Sequence, residues 1–183
     1  MNSDEFWQII DTAHSGSRGD MDRKCELLRK RLSTLEPEDL REFINHFDSV
    51  DAAAYSWPLW GAAYVMHGGC SDDSFSDFRA TLISHGRDIY ERALADPESL
   101  ASLDFDDEED VCYEGFQYVK NDVAEEKLGE LPKRTVIFPE HPAGEEWDEE
   151  TVDQRYPILS AKYSSIRNGG DPPSTKKPWW KVW

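Results

Sequence analysis

Cysteine, basic residues and long apolar runs are all scarce in this chain. Its 183 residues hold three cysteines, Cys25, Cys70 and Cys112, an odd number with no CxxC pair. That argues against a disulfide framework and against a four-cysteine zinc site. No stretch approaches the roughly eighteen apolar residues that a membrane-spanning helix needs, so no transmembrane segment is expected. The N-terminus, MNSDEFWQII, carries acids where a secretory leader needs bases and an apolar core. The expected location is the cytoplasm.

Bases are outnumbered by acids, 20 against 38, which leaves a net charge of −18. The imbalance is uneven. Residues 1–95 carry 17 acids and 10 bases, residues 96–153 carry 20 and 4, and residues 154–183 carry 1 and 6. Such a surface repels nucleic-acid phosphates and anionic membranes, so no nucleic acid is expected as a partner and a basic protein is favoured. Solubility alone would also account for the charge. Apolar residues make up only 38%, but an aromatic fraction of 12% offsets this, because each ring buries a large area.

Helical periodicity runs through the first 131 residues. Phe6, Ile9, Ile10 and Ala13 share a face, with Ser3 as the expected N-cap and a stop at Gly16–Gly19. Met21, Cys25, Leu28, Leu32 and Leu35 form the expected inner stripe of a second helix, and Arg23, Lys24, Arg29, Lys30 and Arg31 its solvated outer face. Pro37 opens a third, with Leu40, Phe43, Ile44, Phe47, Val50 and Ala54 in register. LWGAAYVMH follows Pro58 and ends at Gly68–Gly69; its Gly61, Ala62 and Ala63 are small enough for another helix to approach closely. Two further helices are expected around Phe75–Ile83 and Ile89–Leu94, and one more with Cys112, Phe116, Val119 and Val123 in register. No alternating pattern intervenes. The fold class is therefore all-α, a compact multi-helix bundle.

The pattern weakens beyond Leu131, which divides the chain into a helical domain, 1–131, and a C-terminal extension, 132–183. The extension is acidic first, then basic and aromatic, and is expected to be irregular and partly flexible. TVIFPEHPAGEEW has room for one short extended segment, a short helix is expected from Asp148 to Tyr156, and NGGDPPSTKKP reads as a linker. The closing KKPWWKVW sets Trp179, Trp180 and Trp183 among lysines. Docking on the domain's own surface or on a partner is expected; Trp and Lys also suit a membrane interface, but the segment is too short for stable membrane binding alone.

The segment MHGGCSDDSF concentrates chemistry: His67, Cys70, Asp72 and Asp73 fall within eight positions. Architecture explains most of it. A glycine ends one helix, Ser71 caps the next, and two acids meet the positive end of its dipole. The chemical alternative makes Cys70 a nucleophile before a helix N-terminus with His67 as base, although Asp72 and Asp73 would oppose a thiolate. A metal version would recruit His67, Asp72, Asp73 and Asp77, but the spacing matches no established motif, so neither a metal nor a cofactor is expected. Trp60, Tyr64 and His67 line one side of the preceding helix. Arg79, at the edge of the next buried stripe, is expected to pair with a carboxylate of an earlier helix.

The stretches DEFWQII, YSWPLWGAAYVMHGGCSDDSFSDFRATLISHGRDIYERALADPESLA and YEGFQYVKNDVAEEKLGELP resemble a family of uncharacterised bacterial proteins catalogued as a domain of unknown function. The resemblance spans residues 4–132. It rests on Trp7, Trp57, Trp60, Gly61, Tyr64, Gly69, Cys70, Ser71, Asp72, Asp73, Phe75, Arg79 and Gly86. It implies one compact bacterial domain, with no activity or cofactor attached. The leading expectation is a non-enzymatic binding domain, immunity- or antitoxin-like, with an acidic surface for a basic protein. The rival is an enzyme or small-ligand protein using the His67–Asp73 turn, with Cys70 and His67 as catalytic candidates. Trp60, Tyr64, Cys70, Asp72, Asp73 and Arg79 are the candidate binding residues.

Overall fold

Helix starts and stops are written into the chain, and they decide how the bundle closes. The computed structural model describes residues 1–105 and 108–167. In order it contains α1 (Ser3–Ser17), α2 (Met21–Ser33), α3 (Pro37–Ala53), α4 (Trp57–His67), α5 (Asp72–Ser84) and α6 (Arg87–Ala95). Two 3-10 segments follow, Pro97–Ser102 and Glu108–Cys112, then α7 (Phe116–Leu128), α8 (Val152–Arg155) and α9 (Pro157–Arg167). The protein is all-α. Among the described residues the only β-type pairing is a parallel bridge between Ser56 and Ala143.

The organising element is α5, which packs against α1, α3, α4, α6, α7 and the second 3-10 segment. Every residue from Phe78 to Ser84 is buried, as a helix surrounded on all sides requires. Burial of each large apolar side chain here, such as Phe75 or Leu82, contributes about 1.5–3 kcal/mol. The turn after α5 brings Gly86 to φ 92°. A β-carbon there would stand 2.3 Å from Asp11 Oδ1, so glycine is required by both torsion and space.

The segment after α7 is laid along the bundle and returns to it. Ala143 N–H donates to the Tyr55 carbonyl at 3.0 Å, and Trp57 N–H donates to the Ala143 carbonyl at 2.8 Å. Tyr156 lies against Gly61, where a β-carbon would approach its ring to 2.7 Å, and its hydroxyl donates to the Pro58 carbonyl at 2.8 Å. The small residues of α4 thus admit a close neighbour, as their size implied. Glu98 accepts from the backbone N–H groups of Ile158 and Leu159, capping α9 with a carboxylate from the first 3-10 segment.

Several details differ from the sequence reading. Asn2, not Ser3, caps α1, in a reciprocal capping box with Glu5. Lys24 is fully buried rather than on the outer face, its ammonium donating to Ser84 Oγ at 3.0 Å. The inner stripe of α2 is Met21, Lys24, Leu28 and Leu32, and Cys25 is only half-buried. Position prevailed over residue type, since i, i+3, i+7 and i+11 share a face. Cys112 closes the 3-10 segment and is separated from α7 by Gly115 at φ 141°, so it does not continue the Phe116–Val123 register. In the C-terminal part, the helix expected from Asp148 is confined to Val152–Arg155, and the α9 helix was not foreseen. Leu159 and Tyr163 bury themselves through α9, and Val152 through α8. Both the NGGDPPSTKKP linker and the KKPWWKVW segment lie outside the described residues.

Candidate functional site

The turn between α4 and α5 is built as its residue types suggested. Gly68 adopts φ 73° and ends α4, and Ser71 Oγ accepts from Ser74 N–H at 3.2 Å to start α5. His67 Nδ1 is 2.8 Å from the Gly69 carbonyl. Asp72 and Asp73 are exposed in the first turn of α5. Cys70 Sγ donates to the Ser71 carbonyl at 3.7 Å and neighbours the Cys112 thiol. The neighbouring Cys70 and burial push the Cys112 thiol well above its ordinary range. No hydrogen bond among the described residues joins Cys70 to His67, the link a thiol nucleophile and its base require. Nor do three His, Cys, Asp or Glu side chains converge anywhere among them as a metal site would need.

The candidate binding residues separate into two groups. Tyr64 turns towards the C-terminal segment, its ring 4.9 Å from that of Trp147 and its hydroxyl donating to Glu149. Trp60 turns the other way. Its indole N–H donates to the Cys70 carbonyl at 2.9 Å, and its ring stacks between Trp57 (5.3 Å) and Phe75 (4.8 Å). The Arg79 guanidinium then lies over Phe75 at 4.8 Å, Tyr55 at 5.1 Å and Phe138 at 5.4 Å. Trp57, Trp60, Phe75 and Arg79 therefore make a continuous column from the turn into the interior. Phe75 is the connection between Trp60 and Arg79.

Arg79 ends that column in a cleft of about 490 Å³ among α3, α5 and α7, roofed by residues 131–138. There its Nε donates to Asp51 Oδ1 at 2.8 Å, the ion pair expected from its position. Asp48, also buried, meets Lys120 Nζ at 3.2 Å and Arg134 Nε at 3.2 Å. Arg134 Nη2 is 3.9 Å from the second oxygen of Asp51, so a base from the roof ties both α3 acids. Lys120 and Arg134 also stand over Phe47 and Phe138. Gln117, which lines the cleft, donates to Asp77 outside it at 2.5 Å, and burial raises the Asp77 pKa.

Sequence reasoning missed Asp48, Asp51, Lys120 and Arg134. Asp48 is one position from Phe47 and Asp51 one from Val50, so both fall beside the α3 stripe, where a charge calls for a buried partner. That signal was available for the acids. The partners come from α7 and from a non-helical segment, and only the closed fold brings them together.

No described helix is long and apolar enough to cross a membrane. No curated protein and no solved structure shows significant similarity to the chain. A family described as "Protein of unknown function (DUF4240)" matches residues 1–126, which span α1 to most of α7 and hold the α4–α5 turn, the aromatic column and all the cleft bases and acids except Arg134. The chain belongs to this DUF4240 family.

Proposed function

We propose that the chain is a non-enzymatic, cytoplasmic bacterial binding domain that engages a basic protein, an immunity- or antitoxin-like role being its concrete form. The observation that carries this reading is an acidic segment held in place on the bundle. Glu140, Glu145, Glu146, Asp148, Glu149 and Glu150 are all exposed, and no Lys or Arg interrupts residues 140–150. Backbone pairing at Ala143 and packing of Trp147 against Tyr64 and Trp57 fix the segment at two points. A charged surface that is already ordered loses less entropy on binding and steers an oppositely charged partner. Chemistry at the His67–Asp73 turn has less support, since its polar groups are engaged in ending α4 and starting α5.

The test is co-purification from the native host with the wild-type chain and with Glu140→Gln, Glu146→Gln and Glu150→Gln combined. The expected result is one stoichiometric basic protein, retained at low salt and lost both in the variant and in high salt. Recovery of no specific protein, or recovery unchanged by the variant, overturns the proposal.

A further inference from the structure

The cleft among α3, α5 and α7 has more positive than negative charge, inside a chain whose net charge is −18. Arg79, Lys120 and Arg134 face Asp48 and Asp51. Each of the four carboxylate oxygens already has a base: Lys120 and Arg134 on Asp48, Arg79 and Arg134 on Asp51. Both carboxylates are thus charge-compensated, and donors remain. Arg79 offers five N–H groups, of which only Nε has a protein acceptor among the described residues. Its side chain is 5% exposed, so the remaining guanidinium donors have little bulk water to satisfy them. The rings of Phe75, Tyr55 and Phe138 hold the guanidinium without offering an ordinary acceptor. Nearby, Lys120 Nζ donates to Asn121 Oδ1 at 3.0 Å, which leaves the Asn121 amide N–H₂ as a further donor.

We propose that this cleft binds a small organic oxyanion, a carboxylate or a phosphate ester, with the anionic group on Arg79 and the Lys120–Asn121 pair. A planar guanidinium with unused parallel donors is the group best matched to such an anion. The volume of about 490 Å³ is that of a small-metabolite site. Ile44, Phe47, Leu131 and Phe138 give an apolar wall for the rest of the molecule. Arg134 serves as the roof's latch. Its contacts with Asp48 and Asp51 share their negative charge with Arg79 and Lys120, which leaves those two bases less fully neutralised. The site is distinct from the acidic segment at 140–150, and its ligand is opposite in charge to the basic protein proposed for that segment.

The full chain would be titrated with inorganic phosphate and, separately, with benzoate, each against sodium chloride at equal ionic strength, and followed by ¹H–¹⁵N correlation spectra that include the arginine Nε–H signals. Saturable shifts confined to residues 76–80, 117–121 and 134–138 and to Arg79 Nε–H are expected, with a Kd of roughly millimolar or tighter. Saturation by phosphate alone assigns a phosphate ligand; saturation by benzoate alone assigns a carboxylate. Arg79→Gln should abolish the effect. Because that change also removes the Asp51 ion pair, Asn121→Asp supplies the second variant: it puts a carboxylate beside Lys120 without touching Arg79, and should weaken binding at least tenfold while the circular dichroism stays native. Shifts that grow linearly with ionic strength over the whole surface, no shifts in the cleft with either probe, or a folded Asn121→Asp that binds like wild type would each overturn the proposal.

Discussion

Replacing Lys24 by methionine should remove one defined component of the protein's pH-dependent stability. Lys24 is fully buried in α2, and its ammonium has a single hydrogen-bond acceptor among the described residues, Ser84 Oγ. Burial lowers its pKa from 10.5 to about 8, against smaller opposing effects of Cys25 and Asp110. The unfolded chain binds the proton with its ordinary affinity. Between pH 8 and 10.5 the unfolded state is therefore the more protonated one, and stability rises with pH, by at most about 1.4 kcal/mol per unit for one proton. Below pH 8 the whole penalty, about 3 kcal/mol, is in force. Methionine keeps the length and apolar stem without the charge. Ser84 Oγ still donates to the Thr81 carbonyl at 2.7 Å, so removing the ammonium leaves that hydroxyl bonded. Urea unfolding of both proteins from pH 7 to 10.5 is the assay. The Lys24→Met variant should be the more stable at pH 7, by up to about 3 kcal/mol, and the gap should close as pH approaches 10.5. Taking the difference cancels the shared groups that do not interact with Lys24; Cys25, which does, is changed to Ser in both proteins. A gap independent of pH, or a variant less stable than wild type at pH 7, would refute the reasoning, because the buried ammonium would then be fully compensated.

His85 predicts the same sign in acid. Burial, then the charges of Lys24 and His14, lower its pKa to about 3, so stability present above pH 6.5 is lost as pH falls towards 3. His85→Leu should flatten that slope in acid-unfolding curves, and an unchanged slope would count against a neutral native imidazole. Gly86→Ala should cost about 2 kcal/mol or more in thermal unfolding, since the residue would hold φ 92° with its β-carbon 2.3 Å from Asp11 Oδ1. A loss below about 0.5 kcal/mol, the range of ordinary surface changes, would show that Asp11 moves freely.

The α4–α5 turn was legible because its signals are local. Glycine at the end of α4, serine at the start of α5 and acids in the first turn act through backbone torsion and hydrogen bonds within a few residues, and each takes the expected place. The Arg79 ion pair was legible in kind but not in partner, because periodicity gives the face of a helix and not its neighbour. The cleft as a whole was not. Its acids lie on α3, Arg79 on α5, Lys120 on α7 and Arg134 in a segment without helical pattern.

The sequence by itself determined an all-α chain, the start and stop of most of its helices, the small face of α4 and the strong acidity, since periodicity, capping and composition depend only on near neighbours. The tertiary structure decided which charges are buried. Lys24 and Lys120 carry the same ammonium as any surface lysine. One is enclosed against Ser84 and the other is set between Asp48 and Asn121 only because α2, α5, α3 and α7 close around them. Burial and charge pairing are set by contacts between residues far apart in sequence, so the electrostatics of the cleft exist only once the bundle has formed.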